Sequence, residues 1–217
     1  ISLVIPKNCT VAFVGASGAG KTTVVDLIIG LMQPTTGKVL VDDEDIHGKA
    51  DSWQRQIGYI PQNIFLSDGT IKNNIALGIN EKSLDEELVW RALYLAQLDK
   101  FVKGLPDGLN TMVGEQGVRL SGGQRQRIGI ARALYIDPQI LIMDEATAAL
   151  DNETERAFMD ALESFSGKKT IILIAHRLTT VKNVDQIHFL QKNRLLDSGS
   201  YQTLMENCAA FEKMAKT

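Results

Sequence analysis

Cysteine is scarce in this chain of 217 residues: there are two, Cys9 and Cys208. Their spacing fits neither a metal site nor a disulfide framework, so reduced thiols of a cytosolic protein are expected. Long apolar runs are absent as well. None approaches the ~20 residues of a membrane helix, and the longest, such as Thr170 to Ala175, have the length of a strand. No secretory signal pattern opens the chain. Basic charge is not in excess either. Lys+Arg number 23 against 26 Asp+Glu, the net charge is -3 and the pI is near 5.7. That balance argues against a dedicated nucleic-acid binder, and no nucleic-acid partner is expected. Repeats, low-complexity tracts and disordered linkers are missing too. The first residue is not Met, and the chain opens inside a strand-like stretch, "ISLVIPKNCTVAFVG". It reads as a piece of something larger.

What is present is an ordinary globular composition, 44% hydrophobic and 23% charged, with enough apolar material for a core. Short β-type runs fall at 10–14, 38–41, 57–60, 139–143, 170–175, 186–190 and 194–196. Helical patterns fall at 21–32, 121–136, 152–165 and 200–213. This alternation predicts an α/β fold with a mainly parallel sheet. The stretch from about Leu77 to Leu120 breaks the alternation and reads as helical. Ser83 with Glu86 has the capping-box form, and Leu84, Leu88, Ala92, Leu95 and Leu98 fall on one helix face. A helical insertion in an α/β domain is therefore expected.

Between the first strand pattern and the first helical pattern lies "GASGAGKTT", Gly15 to Thr23. Gly15, Gly20, Lys21 and Thr22 satisfy G-x-x-x-x-G-K-[ST], and the strand before and helix after are the context that this motif requires. By composition, about one chain of this length in a hundred matches by chance; the flanking elements make chance a poor account. In such a loop the backbone N–H groups of Ala16, Ser17, Gly18, Ala19 and their neighbours curl around phosphates. The helix N-terminus adds a favourable dipole. Lys21 reaches the β- and γ-phosphates, and the Thr22 hydroxyl can ligate Mg²⁺.

Three other polar groups directly follow β runs: Gln62 after "IGYIP", Asp144 and Glu145 after "QILIM", and His176 after "TIILIA". In an open parallel sheet, ligands bind beyond the carboxyl ends of the strands. Each group has a bland reading, as a turn residue, a solvated loop start or a histidine satisfied by backbone. Asp144 is the strongest, because an apolar strand ending in Asp is what a phosphate-loop enzyme uses to hold Mg²⁺. Glu145 beside it can orient or deprotonate an attacking water.

The stretch "RLSGGQRQR" raises a separate question. Ser121 and Gln124 have capping-box spacing, and Ile128, Ala131, Leu134 and Tyr135 continue at helical period. The glycines between them lower helix stability. Helix stability therefore gives no reason for bare backbone at the mouth of this helix.

With these residues in hand, the chain resembles the nucleotide-binding domain of an ATP-binding cassette (ABC) transporter. Gly15–Thr22 is similar to the family's Walker A loop, "ILIMDE" to its Walker B strand, and "LSGGQ", Leu120–Gln124, to its signature sequence. Gln62 matches the Q-loop, Asp151 in "AALD" the D-loop, and His176 in "IAHR" the H-loop. "FLSDGTIKNNI" and "MVGEQGVRLSGGQ" resemble the exporter branch, although exporters usually carry Glu-Arg-Gly where this chain has Glu115-Gln116-Gly117.

The resemblance implies a single domain over 1–217, with a helical subdomain at about 77–137 and a small antiparallel β portion near the N-terminus. It implies binding and hydrolysis of ATP with Mg²⁺. Gly15 to Thr23 would hold nucleotide, and Thr22, Gln62 and Asp144 would arrange the metal. Glu145, His176 and Gln62 would serve the chemistry. It also implies a head-to-tail homodimer in which Ser121, Gly122, Gly123, Gln124 and Asp151 serve the partner's nucleotide. Membrane domains of the same transporter would be further partners, which places the domain on the cytoplasmic side of the inner (plasma) membrane. Similarity leans toward flippases of lipids or lipid-linked oligosaccharides. The family's adenine-stacking aromatic lies upstream of the first residue, and Phe13 and Tyr59 are expected to be core. Non-transport members, such as DNA-repair heads and ribosome factors, differ by a long coiled coil or by paired cassettes.

Overall fold

The computed structural model describes every residue except 148, 176, 177 and 217, and leaves aside the side chain of Thr179. In chain order the elements are β1 (Thr10–Val14), α1 (Lys21–Ile29), β2 (Leu40–Val41), β3 (Glu44–Asp45), α2 (Ala50–Gln54), β4 (Ile57–Ile60), α3 (Ile71–Ile75), α4 (Glu86–Leu95), α5 (Asp99–Lys103), α6 (Gly122–Tyr135), β5 (Ile140–Asp144), α7 (Asn152–Glu163), β6 (Thr170–Ala175), β7 (Gln186–Gln191), β8 (Arg194–Gly199), α8 (Tyr201–Asn207) and α9 (Ala209–Ala215). They form two units. The first holds residues 1–57, 139–145 and 166–217, and the second holds 58–138 and 146–165.

The first unit is built on a mainly parallel sheet. Strand β1 lies between β6 and β7 and is parallel to both, with Ala12 opposite Leu173 on one side and Ile187 on the other. Strand β5 extends the parallel order beyond β6. Gln56, at the threshold of β4, accepts the N–H groups of Gln139 and Ile140 at the outer side of β5. The central strands are apolar on both faces: Val11 to Val14, Leu141 to Met143 and Ile171 to Ala175 are all buried. Near-continuous burial is what a parallel sheet covered on two faces requires. Phe13 is fully buried, as expected of a core residue.

Strand β8 returns antiparallel to β7 through Lys192 and Asn193, both with positive φ (49° and 60°). Positive φ at both central positions defines the hairpin turn whose twist matches its strands. Asp42 and Asp43 repeat the device (φ 48° and 67°) between β2 and β3. That hairpin is the expected small antiparallel portion, although its ladder starts at Leu40 rather than at Lys38.

Helix boundaries differ from expectation in two places. Helix α1 stops at Ile29 instead of running to Met32, because Gly30 turns left-handed (φ 80°) and its N–H caps the carbonyls of Asp26 and Leu27. Trp53 and Gln54 donate to the carbonyls of Ile28 and Ile29, at 2.7 and 3.2 Å. The single C-terminal helix expected over 200–213 is two, α8 and α9, broken at Cys208, whose backbone is extended.

In the second unit, α3 and α4 pack on α6. Ile128, Ala131, Leu134 and Tyr135 of α6 are buried, as their spacing predicts. Helix α4 is rotated from expectation. Val89, Ala92, Leu93 and Ala96 are buried, while Leu88 is 37% exposed. The expected capping box at Ser83 is not formed. Ser83 closes a short 3₁₀ turn, and Asp85 caps α4 by accepting the N–H groups of Glu87 and Leu88. The Tyr135 hydroxyl holds Asp85 there by accepting its N–H at 3.1 Å. Beyond α5 the chain is not continuously helical: Gly108–Asn110 and Glu115–Gly117 are 3₁₀ turns, and Met112 bridges to Thr70.

Candidate active site

The loop from Gly15 to Gly20 joins β1 to α1. Gly15 has no alternative, since a Cβ there would lie 2.2 Å from the Leu190 carbonyl oxygen. Gly18 and Gly20 have φ of 75° and 94°, a region that residues with a Cβ rarely adopt. Ala16, Ser17, Gly18, Thr22 and Thr23 are exposed, while Gly15 and Ala19 are buried beneath them. Lys21 turns back over the loop. Its ammonium donates to the Gly15 carbonyl at 2.8 Å and to the Ala16 carbonyl at 3.1 Å, and the residue is 6% exposed. Burial holds this amine below the ordinary lysine range, against the opposing pull of Glu145 and Asp144. A cation in such surroundings gains from an anionic ligand.

Asp144 ends β5 and is buried. Thr22 Oγ1 donates to its carboxylate at 3.5 Å. Burial and the neighbouring Glu145 charge raise the Asp144 carboxyl above the usual range; Thr22 and Lys21 only partly offset them. Glu145 follows with φ 50°, left-handed for a non-glycine residue, and its N–H donates to the Ile174 carbonyl at 3.2 Å.

The donor set suits a divalent cation. A hydroxyl and a carboxylate are hard oxygen ligands, and a carboxylate held above its ordinary range is relieved by positive charge. Among the described residues no group of three His, Cys, Asp or Glu stands ready to hold an ion alone. Mg²⁺ characteristically binds through one or two carboxylates together with substrate phosphates.

Gln62, Ser121, Gly122, Gly123, Gln124 and Asp151 belong to the second unit. Gln62 follows β4 and is exposed. Ser121 forms the full capping box at the start of α6. Its hydroxyl accepts the Gln124 N–H at 3.2 Å, and Gln124 Oε1 accepts the Ser121 N–H at 2.9 Å. Gly122 is exposed, and a Cβ there would meet nothing within 4 Å among the described residues, so their packing does not require glycine. Gly123 is tighter, with 3.2 Å from its would-be Cβ to the Ala149 carbonyl oxygen. Asp151 caps α7 by accepting the Thr154 N–H and hydroxyl, both at 2.9 Å. Those bonds hold its carboxyl below the ordinary range, with Arg127 adding to them. His176 lies outside the described residues.

The family profile described as "ABC transporter" matches residues 1–148. The chain belongs to the ABC transporter family. It is 41% identical over 214 residues to a multidrug resistance ABC transporter ATP-binding and permease protein of Lactococcus lactis, which covers 98% of this chain and 36% of that protein. It is 45% identical over 207 residues to an ATP-dependent lipid A-core flippase of Cupriavidus metallidurans, covering 94% and 35%. Its structure is similar to that of a bacterial Atm1-family ABC exporter with ATP bound, with a TM-score of 0.90, 37% identity, and 97% and 36% of the two chains covered. The chain thus spans about a third of the length of these relatives.

Two contacts of the segments just described were not evident from sequence. Asn193, at the tip of the β7–β8 hairpin, brings its side-chain oxygen to 3.2 Å from where a Gly20 Cβ would stand. Thr147, just past Glu145, donates its hydroxyl to Glu155 of α7 at 2.7 Å. The only local cue was the turn character of Lys192–Asn193; the rest depends on tertiary approach.

Proposed function

We propose that the chain is the ATP-hydrolysing engine of an ABC exporter, one nucleotide-binding domain over 1–217 with its helical subdomain at about 77–137. The observation that carries this reading is the buried Lys21 ammonium, folded over the loop at the start of α1, with the Thr22–Asp144 pair and Glu145 beside it. The loop amides from Gly15 to Thr23 and Lys21 bind the triphosphate of ATP. The Thr22 hydroxyl, Gln62 and the Asp144 carboxylate would hold Mg²⁺, which when bound neutralises charge on the phosphate oxygens. Glu145 orients the attacking water and accepts its proton. His176 contacts the γ-phosphate.

The exposed mouth of α6 serves a second copy of the domain. Ser121, Gly122, Gly123 and Gln124 approach the γ-phosphate held on the partner, and Asp151 carries the contact across the dimer. What supports this is the absence of any packing demand at Gly122. The relatives' names join ATP-binding and permease functions, which supports membrane domains as further partners and a place on the cytoplasmic side of the inner (plasma) membrane.

Glu145→Gln tests the chemistry. The amide cannot accept a proton, so kcat should fall on the order of 10²–10⁴-fold while ATP binding persists. Turnover near the wild-type rate would remove Glu145 from the role.

A further inference from the structure

Arg132 lies in the second half of α6, in the same helix that presents Ser121, yet it takes no part in the site described above. Its guanidinium is spent on backbone. Nε donates to the Asn74 carbonyl at 2.7 Å, one terminal nitrogen donates to the Phe65 carbonyl at 3.0 Å, and the other reaches the Asn74 side-chain oxygen at 3.4 Å. Asn74 is fully buried. It closes the segment from the other side: its Oδ1 accepts the Ser67 N–H at 2.9 Å, and its Nδ2 donates to the carbonyls of Ser67 and Thr70 at 3.0 and 3.1 Å.

One turn earlier on α6, Gly129 leaves room for Ile64. A Cβ at 129 would stand 2.3 Å from Ile64 Cδ1 and within 3.0 Å of two further atoms of that side chain. Leu66 packs against Gly117, where an added Cβ would be 2.8 Å from it. Residues 64 to 67 are therefore fixed at each position, and the segment begins two residues after Gln62.

A planar fork on two carbonyls is a restraint on orientation, which lysine's point-like ammonium does not reproduce. Arg132 is half-buried; taking a guanidinium partly out of water for such contacts is costly, and that burial holds it below the ordinary arginine range. Ordinary packing between α6 and a loop needs no such device.

We propose that Arg132 is a positioning residue for Gln62, clamping the segment that follows it to the signature helix so that the Gln62 carboxamide is held where the nucleotide-bound cation needs it. This rests on the assignment of Gln62 to the metal made above. Gly129 is the second half of the clamp.

Mn²⁺ affinity is measured by paramagnetic resonance on the full-length protein with a non-hydrolysable ATP analogue, alongside metal-free nucleotide affinity and melting temperature. Gln62→Ala should weaken metal binding and leave metal-free nucleotide binding unchanged. Arg132→Gln should weaken it about 10–100-fold, the range for groups that orient a metal ligand. Arg132→Lys should recover only part of the loss. The double variant Gln62→Ala/Arg132→Gln should be no worse than Gln62→Ala. Gly129→Ala, which pushes Ile64 away without touching charge, should give the same loss, and Ile64→Ala added to it should restore binding. If Gln62→Ala binds metal normally, the assignment of Gln62 is wrong and the clamp falls with it. If Gln62→Ala is impaired but the Arg132 effect adds to it in full, or moves only the melting temperature, Arg132 is structural and the proposal alone is overturned.

Discussion

The surroundings of Asp144 disfavour its charge, and that has a sign that can be tested. The folded carboxyl binds its proton more tightly than an unfolded aspartate does. Stability is therefore lost as pH rises from the ordinary carboxylate range through the raised folded value. Each pKa unit of displacement corresponds to ~1.4 kcal/mol, and 1 kcal/mol moves the melting temperature of a domain this size by about 2–4 °C. Asp144→Asn should therefore melt higher than wild type at pH 7 without nucleotide. The gain should shrink as the pH is lowered toward the ordinary carboxylate range, and Mg²⁺ should no longer tighten ATP binding. Scanning fluorimetry at several pH values decides it; a variant that melts lower at pH 7 contradicts the account. The placement of Lys21 and Asp144 was legible from sequence because it follows from fixed local spacing. Arg132 was not, because its partners lie 58 and 67 residues away.

At the scale of elements, the start of α6 separates stability from function. Glycine in a helix is less stable than alanine by roughly 0.5–1 kcal/mol, and a methyl group added at Gly122 would touch nothing among the described residues. Gly122→Ala should raise the melting temperature while lowering ATPase activity, because in the proposed head-to-tail dimer the methyl would stand where a partner's phosphate approaches. Equal or higher activity with higher stability would detach Gly122 from ligand. Capping at this helix is readable because Ser121 and Gln124 are neighbours in sequence. The cap of α4 is not: Ser83 carries the spacing, but Tyr135, far along the chain, fixes Asp85 instead. The break between α8 and α9 has no glycine or proline to announce it. The parallel sheet is readable from apolar runs of strand length, while the two-residue β3 is too short to leave a pattern.

For the whole molecule, the decisive question is whether Lys21 and Ser121 act on one nucleotide within a chain or on nucleotides shared between two. Lys21→Ala and Ser121→Arg should each abolish activity, since both sites of a symmetric dimer then carry one lesion. In a mixed head-to-tail dimer the two lesions fall in one site and the other is intact. Random pairing of equal amounts should restore about a quarter of wild-type sites. Purified mixed dimers of the full-length protein, carrying different tags, give the cleanest reading. No recovery in them would mean that the two loops serve the same chain.

Glu145 adopts a left-handed backbone that costs a non-glycine residue of order 1 kcal/mol or more. Laboratory evolution would feel that penalty directly. A saturation library at position 145, screened only for survival of heating, should enrich asparagine and glycine, which enter this conformation readily. Its best survivors would be hardier proteins that bind ATP and hydrolyse almost none of it. Breeding a robust version of this engine therefore requires turnover in the screen from the first round.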